Sequence, residues 1–296
     1  MPVTKALLWA RQASRTAATN WANRAAVNSE PQAPSEHPNG PQNLTKELFV
    51  GTDLSEIFHP GPGRICCFVR DRANVRYLLT SHHVLDPERP GNWIQGNTLG
   101  MVVSPSNLLS DVGVPNDDWT EEQWDADWNN RLSRHIADII TSDQKEAPNW
   151  VKSGTGSNRI DVLIAKLLPG VFGNNTSPDG VVLKPPPDIS AQPAINDPVK
   201  RYNSEKGWSN ATIVEELEYA WKISPTAPLN PATWQNQGDS GSPVVDQYNR
   251  LIGIAGGAVN INGPGDPALM GAVVTKISVC LSRLDVTFDN SGMLSR

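Results

Sequence analysis

The chain has 296 residues, 38% of them apolar and 19% charged, and a formal net charge of −6. That length buries a sizeable core as one large domain or two packed lobes, and the balance of apolar and charged residues excludes a disordered chain. The acidic charge gives no general electrostatic reason to bind nucleic acid, and without a run of about 18 apolar residues no membrane span is expected.

The chain opens with MPVTKALLWARQASRTAATNWANRAAV, which is basic and has no acid before Glu30. It lacks the uninterrupted apolar centre of a signal peptide, so it reads as a surface or pro-segment helix, with a mitochondrial transit segment as the alternative. Residues 30–44, EPQAPSEHPNGPQNL, are crowded with Pro, Gly, Asn and Ser and read as a linker. From Phe49 onward short apolar runs alternate with turn residues: RICCFVR, VRYLLTSHHVL, LGMVVS, DVLIAKLL, GVVLKP, ATIVEEL, SPVVD, RLIGIAGGAV and LMGAVVTKIS. Many short strands at this spacing predict an all-β sandwich or barrel. Cys66 and Cys67 lie in one such run, and Cys280 is the third cysteine of the chain. An odd count with a vicinal pair points to free thiols, small buried strand residues and a reducing, cytoplasmic setting.

One segment departs from the strand pattern. Between residues 116 and 144, Trp124, Trp128, Leu132, Ile136 and Ile139 recur at helical spacing, and Asp117 or Asp118 would cap the start. We read it as a helix within an insertion at about 87–150, a surface where a regulatory partner could dock.

The stretch NQGDSGSPVVDQYNRLIGIAGG, 236–257, sets Ser240 in a glycine-rich turn ahead of a strand. Such a turn is ordinary by itself, and a serine hydroxyl attacks an amide only when a base removes its proton. Of the five histidines, His37 falls in the linker, His59 in a Pro/Gly loop and His135 on the expected helix. His82 and His83 end the run VRYLLTSHH, where a rigid element can aim a base. Asp161 opens DVLIAKL at the edge of the core, where a carboxylate can be buried against an imidazole and hold its tautomer. A metal site at His82 and His83 is not expected, because adjacent strand residues point to opposite faces, and no cofactor is called for. An α/β-hydrolase elbow would need glycine where Ser242 stands and a helix where Pro243, Val244 and Val245 continue as strand.

Taken together, TSHHVL, DVLIAKL and QGDSGSPVV resemble the three signature segments of chymotrypsin-like (trypsin-fold) serine peptidases, in that family's order. VKRYNSEKGWSNATIV resembles a strand-turn-strand of its disulfide-free bacterial members, and GAVVTKISVCLSRL its closing strand and terminal helix. The resemblance covers roughly residues 49–288. It implies two packed antiparallel six-stranded β-barrels, here with a helical insertion and an N-terminal helical extension. It implies a serine endopeptidase acting on protein or peptide, with catalytic His83, Asp161 and Ser240. It places the oxyanion hole at the N–H groups of Gly238 and Ser240. Substrate would meet Trp234 at the base of the primary pocket and the strand Gly256, Gly257 and Ala258. Asp239 would be a buried carboxylate needing a cation, either a new N-terminus near Phe49 after residues 1 to about 47 are removed, or an internal Arg or Lys. Val84 stands where secreted relatives carry a cysteine, so their bridge cannot form. A silent peptide-binding module on the same fold is the alternative.

Overall fold

The computed structural model describes residues 46–57, 62–86, 98–104, 120–140, 147–188, 191–203, 207–226, 238–261 and 270–291. The expected N-terminal helix, the linker at 30–44, Asp117, Asp118 and Trp234 lie outside these residues.

The first half of the chain supplies strands β1 (Lys46–Phe49), β2 (Asp53–Glu56), β3 (Gly63–Arg64), β4 (Cys67–Arg70) and β5 (Arg76–Thr80). A one-turn helix α1 (His82–Leu85) follows, then β6 (Thr98–Val103), helix α2 (Glu121–Ser133), β7 (His135–Ile140), β8 (Trp150–Thr155), β9 (Asn158–Leu167) and β10 (Val171–Asn174). The second half supplies β11 (Pro198–Asn203), β12 (Gly207–Glu216), β13 (Ala220–Pro225), β14 (Pro243–Asp246), β15 (Leu251–Asn260) and β16 (Met270–Lys276). Helix α3 (Ile277–Leu284) and the short β17 (Thr287–Phe288) close the described chain.

The expected all-β architecture is present. Strands β11–β12–β13–β16–β15–β14 form a closed antiparallel barrel of six strands, shut by the pairing of β14 with β11 through Arg201 and Val244. Alternation builds its interior: Ala211 and Ile213 point inward from β12 and meet Val199, Trp221, Ile223, Val244, Ile252, Ala255, Ala272 and Val274. Each such β-branched side chain contributes about 1.5–3 kcal/mol on burial, and its χ1 stiffness suits a pleated surface. Nine further strands join in one sheet, ordered β17–β4–β5–β9–β7–β6–β2–β3 with β8 on the side of β9, while β1 and β10 pair with each other in parallel as a separate two-stranded sheet. Its core extends into the barrel through Val245, Leu251 and Ile254 and into α3 through Ile277, Cys280 and Leu284. All three cysteines are free and buried, as expected for small core residues.

The 116–144 segment is only partly helical. Helix α2 ends at Ser133, and His135–Ile140 is instead strand β7, paired to β6 and β9. Ile136, Ile139 and Ile140 fit the helical spacing, but sheet pairing that buries Ile136, Ala137 and Ile139 on both faces of the strand overrides it. His135 therefore opens a strand rather than riding on a helix. Thr120 starts α2 through a capping box with Gln123. Asp127 and Arg131, both buried, pair at 2.8 Å, and Arg131 Nη1 donates to the Ile57 carbonyl at 2.6 Å.

The C-terminal chain returns to the first lobe. Strand β17 pairs with β4, and Asp289 accepts ion pairs at 2.8 Å from both Arg70 and Arg76. Burial would raise the Asp289 carboxyl, but hydrogen bonds from Ser291 and the two arginines outweigh it and hold it low.

Candidate active site

Strand β5 ends at Thr80, and Ser81, still extended, precedes α1 without capping it through its side chain, its hydroxyl donating to the Ala255 carbonyl at 3.4 Å. His82 and His83 therefore sit on a helical turn rather than at a strand end. The turn lies beside β9 because Thr80 pairs directly with Leu163, two residues past Asp161. His82 is fully buried, whereas the His83 side chain is 42% exposed and presents its ring to solvent. His83 is thus the histidine that a ligand can reach.

Asp161 engages His83 with both oxygens. Nδ1 of the ring lies 2.6 Å from Oδ2, and the His83 backbone N–H donates to Oδ1 at 3.2 Å. The pairing selects the Nδ1–H tautomer, which leaves the Nε2 lone pair as the basic position. Burial, the largest influence on the Asp161 carboxyl, would raise its pKa. The hydrogen bond from His83 and the charges of His83, Arg159 and His82 outweigh it, so the carboxyl stays below its ordinary range. Arg159 Nη2 lies 3.5 Å from Oδ2. An ionised, buried acid against an imidazole is the arrangement that steadies an imidazolium as it forms.

Ser240 belongs to the other lobe, on the loop entering β14. Two glycines at positive φ shape this loop, Gly238 at +95° and Gly241 at +91°, a region in which an L-residue is strained. At Gly241 a side chain would also collide with the Arg64 carbonyl oxygen and the Thr80 hydroxyl. Arg64 straps the loop from the first lobe. Its backbone N–H donates to the Ser240 carbonyl at 2.8 Å, and its Nε donates to the Gly238 carbonyl at 3.1 Å. With these carbonyls held, among the described residues no backbone carbonyl takes the N–H of Gly238 or of Ser240. The Ser240 hydroxyl donates to the Gly256 carbonyl at 2.7 Å. That carbonyl is turned off the ladder because the β15–β16 register shifts between Ala255 and Gly257, leaving Gly256 as the extra residue of a bulge. Gly256 is buried, Gly257 half-buried and Ala258 exposed along the same strand.

Asp239 is buried and has its cation within the chain. Arg201 Nη1 lies 3.2 Å from Oδ2, with both side chains nearly inaccessible, and the Asn203 amide donates to Oδ1. Burial lowers the Arg201 pKa, opposed by the Asp239 charge and hydrogen bond. Phe49 closes β1, Val50 is buried with its N–H on the Thr176 carbonyl, and the Gly51 N–H meets the Ile65 carbonyl at 2.7 Å.

The structure thus brings His83 onto Asp161 and sets Ser240 against Gly256. Reading the sequence missed Arg64, Arg201, Asn203 and Arg159. Only Arg64 left a trace there, as a cation opening an otherwise apolar run. Among the described residues no group of three or more His, Cys, Asp or Glu is arranged to hold a metal ion.

No family model matches the chain, and no curated protein is significantly similar to it. Among solved structures it is similar to Thermobifida fusca Protease A, at 14% identity over 82% of this chain and 98% of that one, with a TM-score of 0.48. It is similar to Nocardiopsis protease at 12% identity, over 82% of this chain and 100% of that one, with a TM-score of 0.47. Cellulomonas bogoriensis chymotrypsin is similar at 14% identity, over 83% of this chain and 100% of that one, also with a TM-score of 0.47. The all-β assignment rests on the chain's own strand pairing, one closed six-stranded barrel beside a nine-stranded sheet.

Proposed function

We propose that the chain is a trypsin-fold serine endopeptidase that hydrolyses peptide bonds through His83, Asp161 and Ser240. The observation that carries this reading is the double engagement of His83 by Asp161, which fixes the imidazole with its basic nitrogen free of the acid. In the proposed reaction the Ser240 hydroxyl turns from the Gly256 carbonyl toward Nε2 of His83. That exchange forgoes one hydrogen bond, a net cost of about 1 kcal/mol. Ser240 then attacks the peptide carbonyl as His83 takes its proton, and the N–H groups of Gly238 and Ser240 receive the developing oxyanion. Donors of this kind are worth about 3 kcal/mol each. His83 passes the proton to the leaving amine, and water hydrolyses the ester by the same route in reverse. Gly256, Gly257 and Ala258 line the path of the substrate backbone.

The Arg201–Asp239 pair supports an enzyme competent without removal of residues 1–47, since the carboxylate does not await a new N-terminus. A silent peptide-binding module is the second reading, favoured by the Ser240 proton resting on Gly256. A fluorophosphonate probe separates these. The full-length chain is expected to label and its Ser240→Ala variant not to. Labelling only after the N-terminal segment is cleaved would restore N-terminal activation. Failure to label in either state would overturn the peptidase reading.

A further inference from the structure

We infer that Arg159 makes the cleft selective for peptides carrying an acidic side chain one or two residues before the residue whose carbonyl is attacked. This deepens the peptidase reading and rests on it for the direction in which the substrate lies. Arg159 and Asp161 are two apart on β9 and so share a face of the sheet. The guanidinium is 44% exposed and 3.5 Å from the Asp161 carboxylate, an ion pair too long for a strong hydrogen bond. Its other neighbour is the substrate strand. A Cβ built at Gly257 would lie 3.5 Å from Arg159 Nη2, in ordinary van der Waals contact, so the guanidinium lies alongside Gly257. Gly257 directly follows Gly256, whose carbonyl touches the Ser240 hydroxyl. The cation therefore flanks the substrate path about one residue from the nucleophile.

The surrounding register strengthens the positive field. Strand β8 places Gly154 opposite Arg159, where it contributes no covering side chain, and exposed Lys152 opposite Asp161. Asp161 is buried and faces His83, so it does not offer an anion to incoming substrate. An acidic side chain gains a planar five-donor partner here, while a Lys or Arg side chain meets like charge. Attraction and repulsion then act together on the preference.

The test uses the full-length chain and internally quenched peptides that are matched except for Glu, Gln or Lys at the two positions before the cleaved residue. Exposed pairs are modest, so kcat/KM is expected to favour Glu over Lys by about tenfold at low salt, with the ratio shrinking as salt rises. Arg159→Gln should bring that ratio toward one, and Arg159→Glu should invert it. Equal cleavage of the three peptides, or a ratio unchanged in Arg159→Gln, overturns the inference. If no peptide is cut and Ser240 fails to label, the peptidase reading falls separately. The preference is then read by fluorescence anisotropy on the Ser240→Ala chain, where tighter binding of the Glu peptide sustains the inference and equal binding overturns it.

Discussion

Replacing Arg201 with methionine tests whether the internal pair holds the loop that carries Ser240. The substitution keeps most of the apolar stem but strips the cation from a carboxylate that is 1% exposed. Asp239 Oδ1 would retain Asn203, while Oδ2 would lose the partner now 3.2 Å away. Breaking one side of such a buried pair costs about 3–5 kcal/mol, because the remaining charge stays buried without the cation that compensated it. For a chain of this size each kcal/mol lowers the melting temperature by about 2–4 °C, so a drop of roughly 6–20 °C is expected. Thermal unfolding followed by circular dichroism reads the loss, and the rate of fluorophosphonate labelling at a temperature where the variant is folded reads the loop. The double variant Arg201→Met with Asp239→Asn, which removes the stranded charge, should recover more than half of the lost stability. A single variant that melts within about 2 °C of wild type, or a double variant no more stable than the single, would refute the reasoning.

Other changes test the remaining contacts. Arg64→Met removes the donor on the Gly238 carbonyl and should lower kcat about tenfold with little change in KM, since oxyanion donors act in the transition state; a change confined to KM would contradict this. Gly241→Ala forces a side chain into the left-handed region against the Arg64 carbonyl and should cost more than about 2 kcal/mol in a urea titration. Asp161→Asn should slow labelling by about ten-thousand-fold through loss of the His83 tautomer. It should also flatten the acid limb of stability. The folded Asp161 pKa lies below its unfolded value, so the ionised carboxylate stabilises the fold above about pH 4 and that contribution is lost as pH falls through the folded pKa. Parallel acid limbs for wild type and variant would count against it.

The residues of the proposed chemistry were legible because each demands a particular residue type in a local setting. Ser240 stands between glycines, Asp161 ahead of an apolar run and His83 after one, and the structure alters two of these settings. Strand β9 begins three residues earlier, at Asn158, so Asp161 lies inside it, and β5 ends at Thr80, so the histidine sits on a helical turn. The supporting shell was not legible. Arg201 meets Asp239, and Arg64 meets Gly238, only because barrel closure and lobe packing bring distant strands together, and no local pattern encodes that meeting. The two candidate partners of Asp239 were both nameable, but only geometry chooses between them. At 135–140 the isoleucines carry helical spacing, and pairing with β6 and β9, which buries both faces of the segment, overrides it.

The return of β17 to β4 has a consequence for biosynthesis. The first lobe acquires its edge strand, and Arg70 and Arg76 acquire Asp289, only when the last part of the described chain has emerged. Ser240 likewise emerges long after His83, and the loop that holds it needs Arg64 from the first lobe. A ribosome-bound chain that has released only the first lobe would therefore hold the proposed base and acid, His83 and Asp161, without an ordered Ser240. Pairings this remote in sequence also fold slowly. The proposed arrangement of Ser240 with His83 and Asp161 therefore forms only after the second lobe has been released and packed on Arg64.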